Sequence, residues 1–237
     1  MPLQKYKRVE TLLKEFEKKN SFTLTFDKFF PFLTIDKKML NNTPHKTIQF
    51  FKTFLIWANE RNITNNTAFK TFKSKSEENE VIHLTNDELM KLYNLKIDSK
   101  KHDRVRDLFL FQYFTRVRYS DIENLQRVDI QGSVWKLRTQ KTRDVINIPL
   151  TGYTLGILEK YIEWETPLPE ISNHKMNKYI KELCEKTELD TLIKEVKYRG
   201  IKRIEVTKKK FEVISSHIFI SLSLERGMKS DVNEYHI

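Results

Sequence analysis

Between Phe72 and Val81 the chain reads K-S-K-S-E-E-N-E. This stretch has no aromatic residue and no apolar period, so it cannot bury enough surface to order itself as an element. It reads as a linker, and each flank must then close a hydrophobic core of its own. The organisation expected is a helical domain over 1–74, a linker over 75–83 and a second domain over 84–237. A chain of 237 residues, 39% of them hydrophobic, suffices for two modest cores. Five glycines are few for this length and weigh against a large β-sandwich.

The first flank reads as helices. Val9, Leu12, Leu13 and Phe16 recur at helical spacing between Lys5 and Lys19. A loop containing Pro31 follows. Thr43 to Asn62 predicts a second helix, with Thr43 as N-cap and Pro44 in the first helical position. Ile48, Phe51, Leu55 and Ala58 share one face, with Phe54 and Trp57 beside it. His45 reads as a solvated residue at the helix start, not a ligand.

The second flank starts helical and changes period. Thr85 and Glu88 form a capping box, and a helix is expected over about Asp103 to Phe114. Ser120 and Glu123 predict another capping box that opens a short helix. From Val128 the pattern alternates, turns at Gly132-Ser133, and returns through V-I-N-I-P as a small antiparallel sheet. Helices resume at Tyr153 to Trp164 and at Asn173 to Lys186. Ile193 to Val206 reads as a hairpin turning at Arg199-Gly200, and Ser215-Ser216 as the cap of a last helix. The fold class is therefore mainly α with a small antiparallel β-sheet.

Charge narrows the partners. With 43 Lys and Arg against 32 Asp and Glu, the chain carries +11. Such a surplus favours a polyanion, nucleic acid first and an acidic membrane surface second. One cysteine, Cys184, excludes a disulfide framework and points to a reducing, cytoplasmic setting. Among apolar neighbours it reads as a core residue. No apolar run is long enough to span a bilayer, and no signal-peptide pattern opens the chain.

Arg118 stands between a buried helix and a short capped one. A guanidinium at such a corner can present a planar, fixed charge to a phosphate. The segment T-R-V-R-Y-S-D-I-E-N-L, Thr115 to Leu125, resembles the first active-site box of the tyrosine recombinase (phage integrase) family, T-G-x-R-x-S-[DE]-[IL]-x-x-L. Thr115, Arg118, Ser120, Asp121, Ile122 and Leu125 match it. Arg116 stands in place of the family's glycine, at a cost of roughly 1 kcal/mol if the backbone is left-handed there. Leu40 to Ala58 and the A-F-K-T-F-K that follows are similar to the end of the SAM-like core-binding domain of Bacteroidetes-type integrases.

The resemblance implies a core-binding domain followed by a catalytic domain of the DNA-breaking-rejoining type. It implies site-specific recombination of double-stranded DNA, as in mobile elements, through a 3′-phosphotyrosyl intermediate, with no metal or other cofactor. It gives Arg118 the scissile phosphate. It gives Lys141, in T-Q-K-T, the proton for the leaving 5′-hydroxyl, and His217, in F-E-V-I-S-S-H, a part in proton transfer. Lys70, Lys73, Lys75, Arg116 and Arg143 are candidate DNA contacts. The partners implied are duplex DNA and further recombinase copies, of this chain or of a full-length enzyme.

The pattern then departs from the family. Ile220 occupies the place of the second arginine, three residues after His217. That arginine helps neutralise the phosphorane, and losing one such donor costs on the order of a hundredfold to a thousandfold. No L-G-H segment follows, and Tyr235, the tyrosine left after His217, lies at about half the family's distance. The resemblance runs from Leu3 to His217, and the expectation is a chain truncated at both ends with impaired cleavage. A non-catalytic DNA-binding remnant is the rival, and a basic scaffold without DNA affinity the third possibility.

Overall fold

The computed structural model describes residues 2–19, 24–78, 82–139 and 144–216. The chain divides into two compact units, Met1–Glu80 with Lys194–Thr207, and Val81–Ile193 with Lys208–Ile237. The fold is mainly α with a small antiparallel sheet.

In the first unit, α1 (Pro2–Lys19) buries Val9, Leu12 and Phe16. Pro31 does not lie in a loop. It ends α2 (Phe26–Pro31), and the chain continues as a π-helical turn over Phe32–Asp36. Phe26, Phe29, Phe32 and Leu33 are buried at helical spacing, so the core holds the helix through the proline. The proline has no N–H to give the preceding turn and crowds its carbonyl. The helix widens after it, with the Lys37 N–H reaching the Phe32 carbonyl. Phe16 packs edge-on to Phe29 at 5.5 Å and to Phe32 at 5.3 Å.

Helix α3 (Asn42–Glu60) begins earlier than its sequence suggests. Asn41, not Thr43, is the N-cap, and its carbonyl accepts the His45 N–H at 2.9 Å. Pro44 remains in the first turn, where a missing N–H goes unnoticed. The side chains of Asn41 and Asn42 hold Glu77 instead of capping, with Asn42 exchanging bonds of 2.7 and 3.0 Å with its backbone. His45 is half-buried, 2.9 Å from the Ser74 hydroxyl. Phe72 stacks on Phe26. The polar segment up to Glu77 is thus tied to the first unit along its length.

The second unit forms around α4 (Asn86–Tyr93), α5 (Lys100–Thr115), α7 (Gly152–Lys160) and α8 (Asn173–Lys186). The Thr85–Glu88 capping box forms as expected. Strands β1 (Ile130–Gln131), β2 (Val134–Arg138) and β3 (Val145–Pro149) pair antiparallel in that order. Gly132 turns the first hairpin at φ +60°, and Trp135 stands opposite Ile148. Trp135 and Leu137 face the core while Lys136 and Arg138 face out. Helix α7 stops at Lys160, short of the expected Trp164. The Arg127 guanidinium takes the carbonyls of Tyr161, Trp164 and Thr166 there.

Strands β4 (Leu192–Arg199) and β5 (Lys202–Lys209) form the expected hairpin, with Gly200 at φ +59°. Its main part groups with the first unit, unlike the division expected over 84–237. The reason is polar: the Asn41 amide, the Asn41 N–H and Glu77 all bond to Tyr198 or Gly200. A short α9 (Lys210–Val213) follows.

Candidate active site

The corner between α5 and the short helix α6 (Tyr119–Ile122) carries the sharpest motif. Helix α5 ends because Arg116 turns left-handed, at φ 55° and ψ 28°. Its N–H still reaches the Gln112 carbonyl at 2.9 Å. The Thr115 hydroxyl donates to the Phe111 carbonyl at 2.7 Å, and Val117 is buried. Arg118 then becomes extended and caps α6. Its carbonyl accepts the N–H groups of Asp121 and Ile122 at 3.0 and 3.1 Å. Ser120 is therefore inside α6 and is not its cap, because the chain enters the helix two residues sooner. Asp121, Ile122 and Leu125 are buried.

This arrangement fixes the Arg118 backbone on both sides and leaves its side chain half-buried. Among the described residues, no carboxylate pairs with its guanidinium. Arg116 beside it is exposed. A fixed arginine without a carboxylate partner retains its full charge for an outside anion. Tyr119 next to it donates to the Ile171 carbonyl at 2.6 Å. Burial above all, then the Glu123 charge, raises its pKa and keeps the phenol neutral.

Three features of the site lie outside the motif. The Gln112 amide, 1% exposed, donates to the carbonyls of Val117 and Ser216, each at 3.1 Å. Ser216 is also buried, its hydroxyl donating to Asn173 Oδ1 at 2.8 Å and its N–H to Asn177 Oδ1 at 2.7 Å. Lys136 and Arg138 add two outward charges to the sheet beside the box. Strand alternation alone signals Lys136 and Arg138. Nothing local signals that Gln112 meets a carbonyl 104 residues away.

Lys141 and Arg143 belong to the connection between β2 and β3, and both lie outside the described residues, as do His217, Ile220 and Tyr235. The described hairpin closes toward that connection through the Thr139 N–H and the Asp144 carbonyl, 3.0 Å apart. A helix capped by Ser215-Ser216 would also start beyond the described residues. Within them, Ser216 spends its hydroxyl on α8.

Lys70, Lys73 and Lys75 are exposed in the first unit. Lys73 and Lys75 line a cavity of about 430 Å³ with Phe30, Phe72, Glu77 and Tyr198. A second cavity, about 400 Å³, lies beside the box between Asp121, Asn124, Lys136 and Arg138. Cys184 is buried, and burial first, then the Glu88 charge, pushes its thiol up to about 12. It is a packing residue. Among the described residues, no group of three or more His, Cys, Asp or Glu can hold a metal ion, and no helix is long and apolar enough to cross a membrane.

No protein-family model and no curated protein sequence matches the chain. Solved structures do. A lambda integrase (75–356) dimer bound to a COC′ core site is similar over 97% of this chain and 91% of that one, with 15% identity and a TM-score of 0.62. A lambda integrase tetramer bound to a Holliday junction is similar over 95% and 69%, with 18% identity and a TM-score of 0.59. The Tn1549 transposon integrase (82–397) in complex with circular intermediate DNA is similar over 93% and 80%, with 13% identity and a TM-score of 0.58. At these identities the likeness shows a shared fold.

Proposed function

We propose that this chain is a site-specific recombinase or integrase of the tyrosine type that grips duplex DNA, with its own strand cleavage impaired. The observation that carries the reading is the Arg118 corner. A family-like box folds into a left-handed helix end and an extended N-cap, and it offers an arginine with no carboxylate partner among the described residues. The shared fold with integrases whose structures were solved on DNA supports it, as does the charge of +11.

In this reading Arg118 clamps the scissile phosphate, Lys141 protonates the leaving 5′-hydroxyl and His217 assists proton transfer. Tyr235 is the candidate nucleophile. Lys70, Lys73, Lys75, Arg116 and Arg143 meet backbone phosphates, which set register without reading sequence. The first unit is the core-binding domain and the second the catalytic domain. The protein works in the cytoplasm, as part of a mobile element, and assembles on DNA with copies of itself. No cofactor takes part, because the phosphotyrosyl bond conserves the energy of the cut.

A second reading is favoured by Ile220 at the second arginine's place: a non-catalytic DNA-binding protein that occupies recombination sites or joins a full-length recombinase. A suicide-substrate assay on duplex carrying the recombination site measures whether any cleavage remains. The expected result is a salt-sensitive complex without covalent adduct. An adduct that disappears in Tyr235→Phe would overturn the impairment. Failure to shift any duplex at low salt would overturn DNA binding altogether.

A further inference from the structure

Gln112 lies on α5, one turn before the corner, and makes three connections there. Its backbone carbonyl accepts the Arg116 N–H at 2.9 Å. Its side-chain amide donates to the Val117 carbonyl and, with the other hydrogen, to the Ser216 carbonyl, each at 3.1 Å. Both partners are carbonyl oxygens, which only accept, so the NH₂ end of the amide must face them. Two peptide groups ahead of Arg118, the one joining Thr115 to Arg116 and the one joining Val117 to Arg118, are thereby held by one residue. On the far side the Arg118 carbonyl is held by the first turn of α6.

The position is costly for a polar residue. Gln112 is 1% exposed, and its Oε1 finds no donor among the described residues. An apolar side chain of the same length would fill the space without burying an unpaired acceptor. The two carbonyls explain the amide. Arg116 has left the ordinary helical region, which frees the Val117 peptide to rotate, and Ser216 ends the described chain next to the same corner.

We infer that Gln112 is a positioning residue for Arg118: its amide locks the Val117 peptide against the Ser216 carbonyl, and so aims the guanidinium at a DNA phosphate. The inference rests on the proposed reading of Arg118 as a phosphate clamp. It adds a residue that touches no DNA and acts through another.

The test is a double-mutant cycle read on the salt dependence of binding to a fixed, arbitrary duplex. Each phosphate contact contributes about 1 to the slope of log affinity against log salt. Arg118→Ala should lower the slope by about 1. Gln112→Met, which keeps the length and removes both donors, should lower it by a similar amount, and the double variant should lose no more than Arg118→Ala alone. A structural role without aim would leave the slope unchanged. If Gln112→Met leaves it intact, or if the two losses add, the inference is overturned while Arg118 keeps its role. If Arg118→Ala leaves the slope unchanged, the phosphate reading fails and the inference with it. Should Gln112→Met unfold at the assay temperature, Gln112→Asn decides by the same criteria. It keeps a buried amide that is one methylene too short to span both carbonyls.

Discussion

Asn41 and Gly200, 159 residues apart, exchange two hydrogen bonds: the Asn41 amide donates to the Gly200 carbonyl at 2.9 Å, and the Gly200 N–H donates to Asn41 Oδ1 at 2.7 Å. The same amide reaches Glu77 at 2.8 Å, and the Asn41 N–H takes the Tyr198 carbonyl. Asn41→Ala keeps the backbone bond to Tyr198 but removes the side-chain partner of both Gly200 groups and of Glu77, and should cost about 2 kcal/mol. Chemical denaturation reads the loss. Hydrogen exchange should place the weakening in residues 194–207 ahead of the second unit. Equal loosening of both units would disprove the anchor.

Arg116 ends α5 at φ 55°, where a side chain is strained. Arg116→Gly should therefore stabilise the second unit by about 1 kcal/mol, seen as a higher Tm. Gly200→Ala should do the reverse in the first unit. It places a Cβ at φ +59° and 3.5 Å from Thr34 Oγ1.

The alkaline limit of stability should be set between α5 and α7. Tyr161 donates to the buried Asp107 at 2.7 Å, and Lys160 reaches Asp103 and Asp107 at 2.5 and 2.6 Å. Burial first, then Asp107, raises the Tyr161 pKa above its ordinary 10.0. Burial would lower Lys160, yet the two carboxylates overcome it and raise the ammonium above 10.5. A raised pKa in the folded state means stability that is whole below the unfolded value and lost as pH climbs toward the folded one. Melting points should fall above pH 10, and Tyr161→Phe should flatten that fall while costing about 1 kcal/mol at neutral pH.

The acid limit involves Glu88, which closes the α4 capping box and meets the nearly buried Lys210 at 2.6 Å. Burial would raise its carboxyl, but the Lys210 ammonium and the Thr85 N–H outweigh this and hold the pKa below 4.5. A depressed pKa gives stability that is present above the unfolded value and lost as pH falls through the folded one. Melting points should drop below pH 4.5, and less steeply in Glu88→Gln. An unchanged profile would remove Glu88 from the acid transition.

Lys73 and Lys75 flank one cavity of the first unit. If they meet phosphates, each alanine variant should weaken binding to all duplexes alike and lower the salt slope by about 1. A preference change among sequences with no slope change would contradict that role.

The box at Arg118 was legible in the sequence because its geometry is local. Helix end and left-handed residue follow one another and need only neighbours to form, although the N-cap falls on Arg118 and not on the expected Ser120. Its flaw was legible too, since Arg116 stands where glycine would relax the turn. Pro31 and Thr43 show the opposite case. Buried Phe26, Phe29 and Phe32 carried a helix through the proline, and Asn41 took the cap while its side chain served Glu77 and Gly200. Burial and long-range polar contacts outweighed local propensity, which amounts to about 3 kcal/mol for a proline inside a helix and less than 1 kcal/mol for most other residues.

Periodicity and turn residues alone determined most of the helices, the β2–β3 hairpin and the Gly200 turn, and the motif pointed to Arg118. Only the tertiary structure decided that Lys194–Thr207 groups with the first unit, and that Gln112 ties Val117 to Ser216. A hydrogen bond reaches about 3 Å whatever the separation along the chain, so contacts 104 and 159 residues apart leave no trace in local pattern.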